Sequence, residues 1–252
     1  MSDSKKIISS LLFRVRALTN LHPGAGDSFY GPVDKTVQRD PASGRPVIHA
    51  HSLKGALREY FEQLPEQHEN SEFIRHVFGS PVKRNNGEIQ PGDYRFFSAD
   101  LLALPIPETD PSLSESFHLA TDLTVWEEFL KKIKLLNRTD IIDVNNLRTA
   151  FGKDLLPNFD LTKAIDFREA AQELPVVARN QLDNGKSENL WYEELLPRES
   201  IFAFVVQACH TDAEVKHRKT FIDGLNGKVI QIGANATVGY GYCQITCINP
   251  PQ

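Results

Sequence analysis

Leu53, Ala56, Leu57, Tyr60, Phe61 and Leu64 fall at i, i+3, i+4, i+7, i+8 and i+11. That spacing draws an apolar stripe down one side of a helix, and the stripe must be buried against another surface. A strand precedes it. Leu11, Phe13, Val15 and Ala17 alternate with Leu12, Arg14, Arg16 and Leu18, the period of a strand with one buried face. Late in the chain the order recurs: β-formers run from Ile201 to Ala208, a helical stretch spans Asp212 to Leu225, and Asn226-Gly227 ends it. Strands at Val229 to Ile232 and Tyr242 to Ile248 follow. Strands flanking one early and one late helix imply an α+β fold with a ferredoxin-like (RRM-like) core into which the middle of the chain is inserted.

The remaining segments fill in that plan. Ser52 stands where an N-cap belongs and Pro65 stops the helix. The loop His22-Pro-Gly-Ala-Gly26 cannot continue a ladder, so it ends the first strand. A helix is expected around Ser71 to Val77, closed by Gly79, then a polar loop from Pro81 to Gly92 and a strand at Tyr94 to Phe97. Thr124-Val-Trp-Glu127 has the spacing of a capping box, and Val125, Trp126, Phe129, Leu130, Ile133 and Leu136 form the apolar face behind it. Residues 139 to 175 are weakly periodic. Asp183-Asn-Gly-Lys186 is a strong turn between Pro175-Val-Val-Ala178 and Leu190-Trp-Tyr192, which makes a projecting hairpin. The whole is one domain with insertions at about 80 to 95 and 139 to 195.

Composition excludes several classes. Hydrophobic residues are 40% and charged residues 24% of 252, ordinary for a folded chain with a large core. No run approaches the roughly 18 apolar residues a membrane helix needs, so neither secretion nor membrane insertion is expected and the reading is cytoplasmic. Cys209, Cys243 and Cys247 form no CxxC pair and read as small core residues. The formal net charge is −5, yet between Lys35 and Arg58 five cations face one anion, Asp40. A narrow basic groove is compatible with that; bulk coating of nucleic acid is not.

Lys54 lies in the first turn of its helix, where a cation opposes the helix dipole unless an anion sits there. Backbone N–H groups, Lys54 and Arg58 together suit a phosphate, and Gly55 would let it approach closely. A solvated lysine on a polar face is the plainer alternative. Gly233, Gly239 and Gly241, with Asn235 and Thr237 between them, offer a second backbone-rich surface, or simply a tight turn. Neither a Walker A nor a GxGxxG spacing is present. Asp34, in a loop context, is suited to holding a divalent ion or positioning a 2′-hydroxyl for attack, or to an Asx-turn. His22 has acid–base chemistry available. Glu193 and Glu194 point to opposite faces if their segment is a strand, so one of them at most faces a shared site.

These signals occur in a particular order. His22-Pro-Gly-Ala-Gly26, Val33-Asp34 with Val37-Gln-Arg-Asp40, Gly44-Arg-Pro-Val-Ile48 and Ser52-Leu-Lys-Gly-Ala-Leu-Arg58 come first. Val77-Phe-Gly79, Ser98 to Pro105, Asn189-Leu-Trp-Tyr-Glu-Glu194 with Pro197, and Gly233 to Gly241 follow. In this combination the chain resembles the RAMP superfamily of CRISPR proteins, in particular the repeated backbone subunit of type III-B (Cmr) effector complexes. The resemblance implies a ferredoxin-like palm with inserted finger and thumb elements, copies of which stack along a CRISPR guide RNA beside other Cmr-type subunits. It implies an endoribonuclease that cuts paired target RNA at regular intervals, with the cutting position at Asp34 and a transiently bound divalent ion, Mg or Mn. It sets Lys54 and Arg58 against the guide backbone, with the glycine stretch as a second surface of that kind; on this reading Ser52 to Arg58, Gly55 included, is the guide clamp, and Arg39 is a further candidate for a phosphate. A catalytically silent scaffold of the same kind, or a guide-processing relative using His22, are the alternatives. Two departures stand out: His49-Ala-His-Ser52 replaces the usual Pro-Gly-Ser-Ser, and Ala234 replaces a common glycine.

Overall fold

In the computed structural model of the protein, residues 8–27, 32–65, 71–80, 90–108, 116–136, 162–209 and 212–248 are described. The strands are β1 (Ile8–Ala17), β2 (Gly24–Asp27), β3 (Lys35–Val37), β4 (Val47–Ile48), β5 (Tyr94–Phe96), β6 (Ala99–Pro107), β7 (Phe117–Ala120), β8 (Val176–Asp183), β9 (Lys186–Glu194), β10 (Ile201–Cys209), β11 (Val229–Gln231) and β12 (Tyr242–Cys247). The helices are α1 (Ala50–Glu62), α2 (Glu72–Phe78), α3 (Leu123–Leu136), α4 (Thr162–Gln172) and α5 (Asp212–Leu225).

Eight strands form one sheet in the order β11-β12-β1-β10-β6-β4, with β5 also pairing β10 and β7 pairing β6. Its centre is β12-β1-β10-β6, antiparallel throughout. In the chain α1 lies between β1 and β6, and α5 between β10 and β12. Numbered in chain order, those four strands stand 4-1-3-2, the arrangement of a βαββαβ ferredoxin-like palm. The expected α+β core is therefore the one observed.

Aromatic rings fill the layer between sheet and helices. Phe13 stacks on Phe204 at 5.1 Å across the β1–β10 pair, and Phe221 of α5 meets Phe13 edge-on at 5.9 Å. Phe61, fully buried like Leu53 and Leu57 of the same α1 stripe, stacks on Phe221 at 5.7 Å. A Cβ at Gly224 would lie 2.5 Å from the Phe61 ring, so the missing side chain lets α5 close onto α1. The opposite face is covered as well. Gln207, on the other side of β10 from Phe204, donates to the Leu136 carbonyl at the end of α3. Every residue of β10 from Ile201 to Val206 is buried. Neither face of this central strand is therefore open, unlike the sheet of an RRM, which leaves only edges and loops for a ligand.

A second sheet, β2-β3-β9-β8, stands beside the palm. The hairpin β8–β9 is joined through Asn184 and Gly185, with φ of +48° and +78°, both left-handed as a type I′ turn requires. Paired backbone bonds between Leu21 and Leu196, at 2.9 and 2.8 Å, fasten its base to the end of β1.

Two local readings change, and two elements are new. The segment after His22 does leave the first sheet, but Gly24–Asp27 then forms β2 against β3. The cap of α3 is Asp122, whose Oδ1 accepts the Thr124 N–H and hydroxyl, both at 2.8 Å; Thr124 donates instead of capping. Strand β6 and helix α4 were not expected. The polar loop read at Pro81 to Gly92 lies outside the described residues from 81 to 89. Cys243 and Cys247 are both buried, and burial pushes the Cys243 thiol up to about 12. No helix among the described residues is long and apolar enough to cross a membrane.

Candidate nucleic-acid interface

Three segments far apart in sequence meet at one end of β9, because consecutive residues of that strand bind in different directions. Tyr192 holds the β3 end: the Asp34 N–H donates to its carbonyl at 3.1 Å, and its own N–H donates to Asp34 Oδ2 at 2.7 Å. Asp34 is exposed, and Oδ1 has no partner among the described residues. Glu193 is buried at 2% and holds the glycine-rich loop. Its Oε1 accepts from the Asn235 amide and lies 3.5 Å from His22 Nδ1, while Oε2 meets Arg179 Nε at 3.1 Å. Glu194, on the other face, accepts the Val37 N–H at 2.9 Å and pairs with Arg39 at 2.6 Å. The alternation expected for adjacent strand residues is realised with both carboxylates buried and paired.

His22 is 3% exposed. Its Nδ1 lies 2.7 Å from the Glu194 carbonyl, which can only accept, so Nδ1 carries the proton. The His22 carbonyl in turn accepts the Ala234 N–H at 2.9 Å. Gly233 has φ +85°, and a Cβ there would sit 2.6 Å from that same carbonyl oxygen. Gly241, at φ +80°, would place a Cβ 2.1 Å from the Ile232 carbonyl. These two glycines are required by close backbone approach. Gly239, φ +82°, faces open space, and Thr237 is exposed in a 3₁₀ turn spanning Ala236–Val238. The loop thus presents Thr237 and Gly239 outward, while Asn235 is turned in toward Glu193.

Helix α1 enters the same neighbourhood through Gln38. Its Oε1 accepts the His49 N–H at 2.7 Å, and its amide donates to Ser52 Oγ at 2.8 Å and to the Gly24 carbonyl at 3.0 Å. One buried glutamine therefore ties β2, the end of β3 and the start of α1. Ser52 is not the cap: the helix begins at Ala50, its N-cap is His49 without a side-chain bond, and Ser98 Oγ accepts the Ala50 N–H at 3.1 Å. The sequence signal for Gln38 was weak because a polar residue after a short strand specifies no partner.

No acidic residue stands in the first turn of α1. Burial, then the neighbouring Arg58 guanidinium, hold the Lys54 ammonium below its ordinary pKa. Its Nζ lies 5.7 Å from the Phe96 ring centroid, and Gly55 opens onto empty space. An anion there would relieve both the dipole mismatch and the repulsion between the two cations. Arg58 is partly engaged already, by Glu62 at 2.7 Å one turn later. Arg39 differs from the expectation of a phosphate contact. Its guanidinium pairs with Glu194 and donates to the carbonyls of Ala171 at 2.7 Å and Gln172 at 3.3 Å, closing the C-terminus of α4. That set of bonds makes it an internal tie.

A resident metal ion does not fit the donor set: among the described residues no three of His, Cys, Asp and Glu converge.

The sequence model of the RAMP superfamily matches residues 14–244. The chain belongs to the RAMP superfamily. A relative from Pyrococcus furiosus, the CRISPR system Cmr endoribonuclease Cmr4, is 28% identical over 285 residues, covering 95% of this chain and 96% of its own. Among solved structures, a subunit of the type III-B Cmr-β complex bound to cognate target RNA superposes with TM-score 0.74 at 20% identity, covering 95% of this chain and 97% of that one. The oligomeric Cmr4 crystal structure from Pyrococcus furiosus gives TM-score 0.65 at 20% identity, covering 94% and 97%. These likenesses cover nearly all of this RAMP chain and show that it shares their fold.

Proposed function

We propose that this RAMP protein is a guide-RNA-binding backbone subunit of a type III CRISPR effector complex and an RNA-guided endoribonuclease, cutting complementary target RNA at regular intervals in the cytoplasm. The observation that carries the reading is the fixing of an exposed carboxylate, Asp34, by the same strand that fixes the glycine-rich loop. Sequence is then read by base pairing between guide and target, while this chain holds backbone and shape. Lys54 and the outward face of the glycine loop hold phosphates of the guide. Asp34 Oδ1 accepts the 2′-hydroxyl proton of a target nucleotide; that oxygen bonds to its own phosphorus as the bond to the 5′-oxygen of the next nucleotide breaks, leaving a 2′,3′-cyclic phosphate and a 5′-oxygen that takes a proton from water. A divalent cation, Mg or Mn, would arrive with the RNA and neutralise phosphate charge. The partners are guide RNA, target RNA, further copies of this chain and other Cmr-type subunits.

The names of the relatives support this: one is a Cmr endoribonuclease, and a neighbour of like fold is in a complex bound to cognate target RNA. Burial of His22 gives no support to a guide-processing enzyme built on that imidazole. The test is co-expression with a CRISPR array and its partner subunits, followed by measurement of the bound RNA and of target fragments. Guide-length RNA and evenly spaced fragments are expected. A purified complex without RNA would contradict the reading.

A further inference from the structure

Two buried donors at the base of the β8–β9 hairpin have no acceptor. Trp191 Nε1 and Arg179 Nη2 are both shielded from solvent and unpartnered among the described residues. Arg179 and Trp191 are direct register partners, so both project from the same face of the hairpin. The neighbouring strand places Lys35 opposite Glu193 on that face, and Lys35 Nζ lies 5.3 Å from the Trp191 ring centroid. The Arg179 guanidinium lies 4.6 Å from the ring centroid of Tyr240, which belongs to the glycine-rich loop. Glu193 answers one of the two cations through Arg179 Nε at 3.1 Å.

An indole N–H and a guanidinium NH₂ can only donate. Leaving either buried and unpaired is unfavourable, and an incoming oxygen relieves it. Lys35 and Arg179 each stand over one of these rings, and a cation's partner oxygen is favoured when it is anionic. The aromatic faces are each covered by a cation that a phosphate could draw away, leaving a flat surface on which a base stacks. Flat rings, orphan donors and a cation over each ring together match one ligand chemistry.

Resting on the proposed function, we infer that Lys35, Trp191, Arg179 and Tyr240 form a nucleotide subsite: a base stacks on an aromatic face once its cation turns to the phosphate, and Trp191 Nε1 and Arg179 Nη2 take its oxygens. The subsite lies beside Asp34, one residue from Lys35 in the chain and bound to the Tyr192 N–H next to Trp191. The nucleotide belongs either to the guide or to the target strand, and the chemistry is the same in both.

Ultraviolet crosslinking of the assembled, guide-loaded complex, with and without target RNA, followed by mass spectrometry, tells the two apart. A crosslink between Trp191 and RNA is expected. Its presence before target addition assigns the guide; its appearance only afterwards assigns the target. In parallel, Trp191→Leu should weaken retention of that strand about tenfold, and Trp191→Phe, which keeps a ring but loses the N–H, by less. Arg179→Lys, which keeps the charge but loses the fork, should weaken it as well. A complex that carries guide and cuts target, yet shows no crosslink at Trp191 and unchanged affinity in all three variants, overturns the subsite and leaves the proposed function standing. Absence of RNA from the wild-type complex overturns both.

Discussion

Asp34 and Tyr192 are joined by two reciprocal hydrogen bonds, one from the Asp34 N–H to the Tyr192 carbonyl and one from the Tyr192 N–H to Asp34 Oδ2. The second uses a side chain where a ladder would use a carbonyl, so one carboxylate oxygen is fixed to β9 while the other has no partner among the described residues. Because Glu193 and Glu194 follow directly, any movement of β9 is felt at Asp34, at the glycine loop and at Arg39 together.

Lys54→Ala should weaken guide retention and flatten its dependence on salt. Neutralising one phosphate fewer lowers the slope of log affinity against log salt by about 0.7 for a single strand. Filter retention of guide across a salt series measures it, and an unchanged slope means that Lys54 touches no phosphate. Arg58→Ala should have a smaller effect, since Glu62 already holds that side chain.

Gly233→Ala and Gly239→Ala separate two reasons for a glycine. Both impose a left-handed backbone on an L-residue, at about 1–2 kcal/mol. Only the first also drives a methyl into the His22 carbonyl, so it should be the more destabilising in thermal unfolding and should detach the loop from Glu193. Equal melting shifts would contradict that packing.

Phe61→Ala should cost about 3–5 kcal/mol, because it empties the centre of the aromatic layer shared by α1, α5 and the sheet. Chemical denaturation reads the loss directly. A cost under about 1 kcal/mol would mean that the layer is not packed as described.

Asp122 supplies a pH-dependent term. Burial pushes its carboxyl up, but hydrogen bonds from Arg168 and Thr124 outweigh burial and hold the pKa below the ordinary carboxylate value. A lowered carboxylate pKa contributes stability that is present above the unfolded-state value and fades as pH falls through the folded-state value. Asp122→Ala should therefore cost about 1 kcal/mol near pH 7 through loss of the cap, and the gap in melting temperature should narrow in acid. A gap that widens in acid would reverse the sign.

Periodic segments were legible in the sequence and long-range polar ties were not. The stripe from Leu53 to Leu64, the alternation from Leu11 to Ala17 and the Asn184-Gly185 turn each specify their geometry locally, and each took it. Helix α4 escaped because its one-sided pattern is weak: Phe167 and Ala171 are buried among exposed neighbours. Ser52 and Thr124 look like caps, yet Gln38 and Asp122 reach the helix starts from outside the helices. Arg39 shows the limit most plainly. Its charge suggested phosphate, while its partners, Glu194 and the end of α4, lie more than a hundred residues away in the chain. Loop context and resemblance both point to Asp34, but its bond to Tyr192 belongs to a parallel pairing of β3 with β9 that no local pattern announces.

The most direct measurement is target cleavage by the assembled, guide-loaded complex carrying Asp34→Asn, which keeps an acceptor for the Tyr192 N–H but removes the charge. The account predicts that guide content and target binding match the wild type while evenly spaced fragments disappear. Fragments of the same spacing and comparable rate from the variant would contradict the assignment of cutting to Asp34.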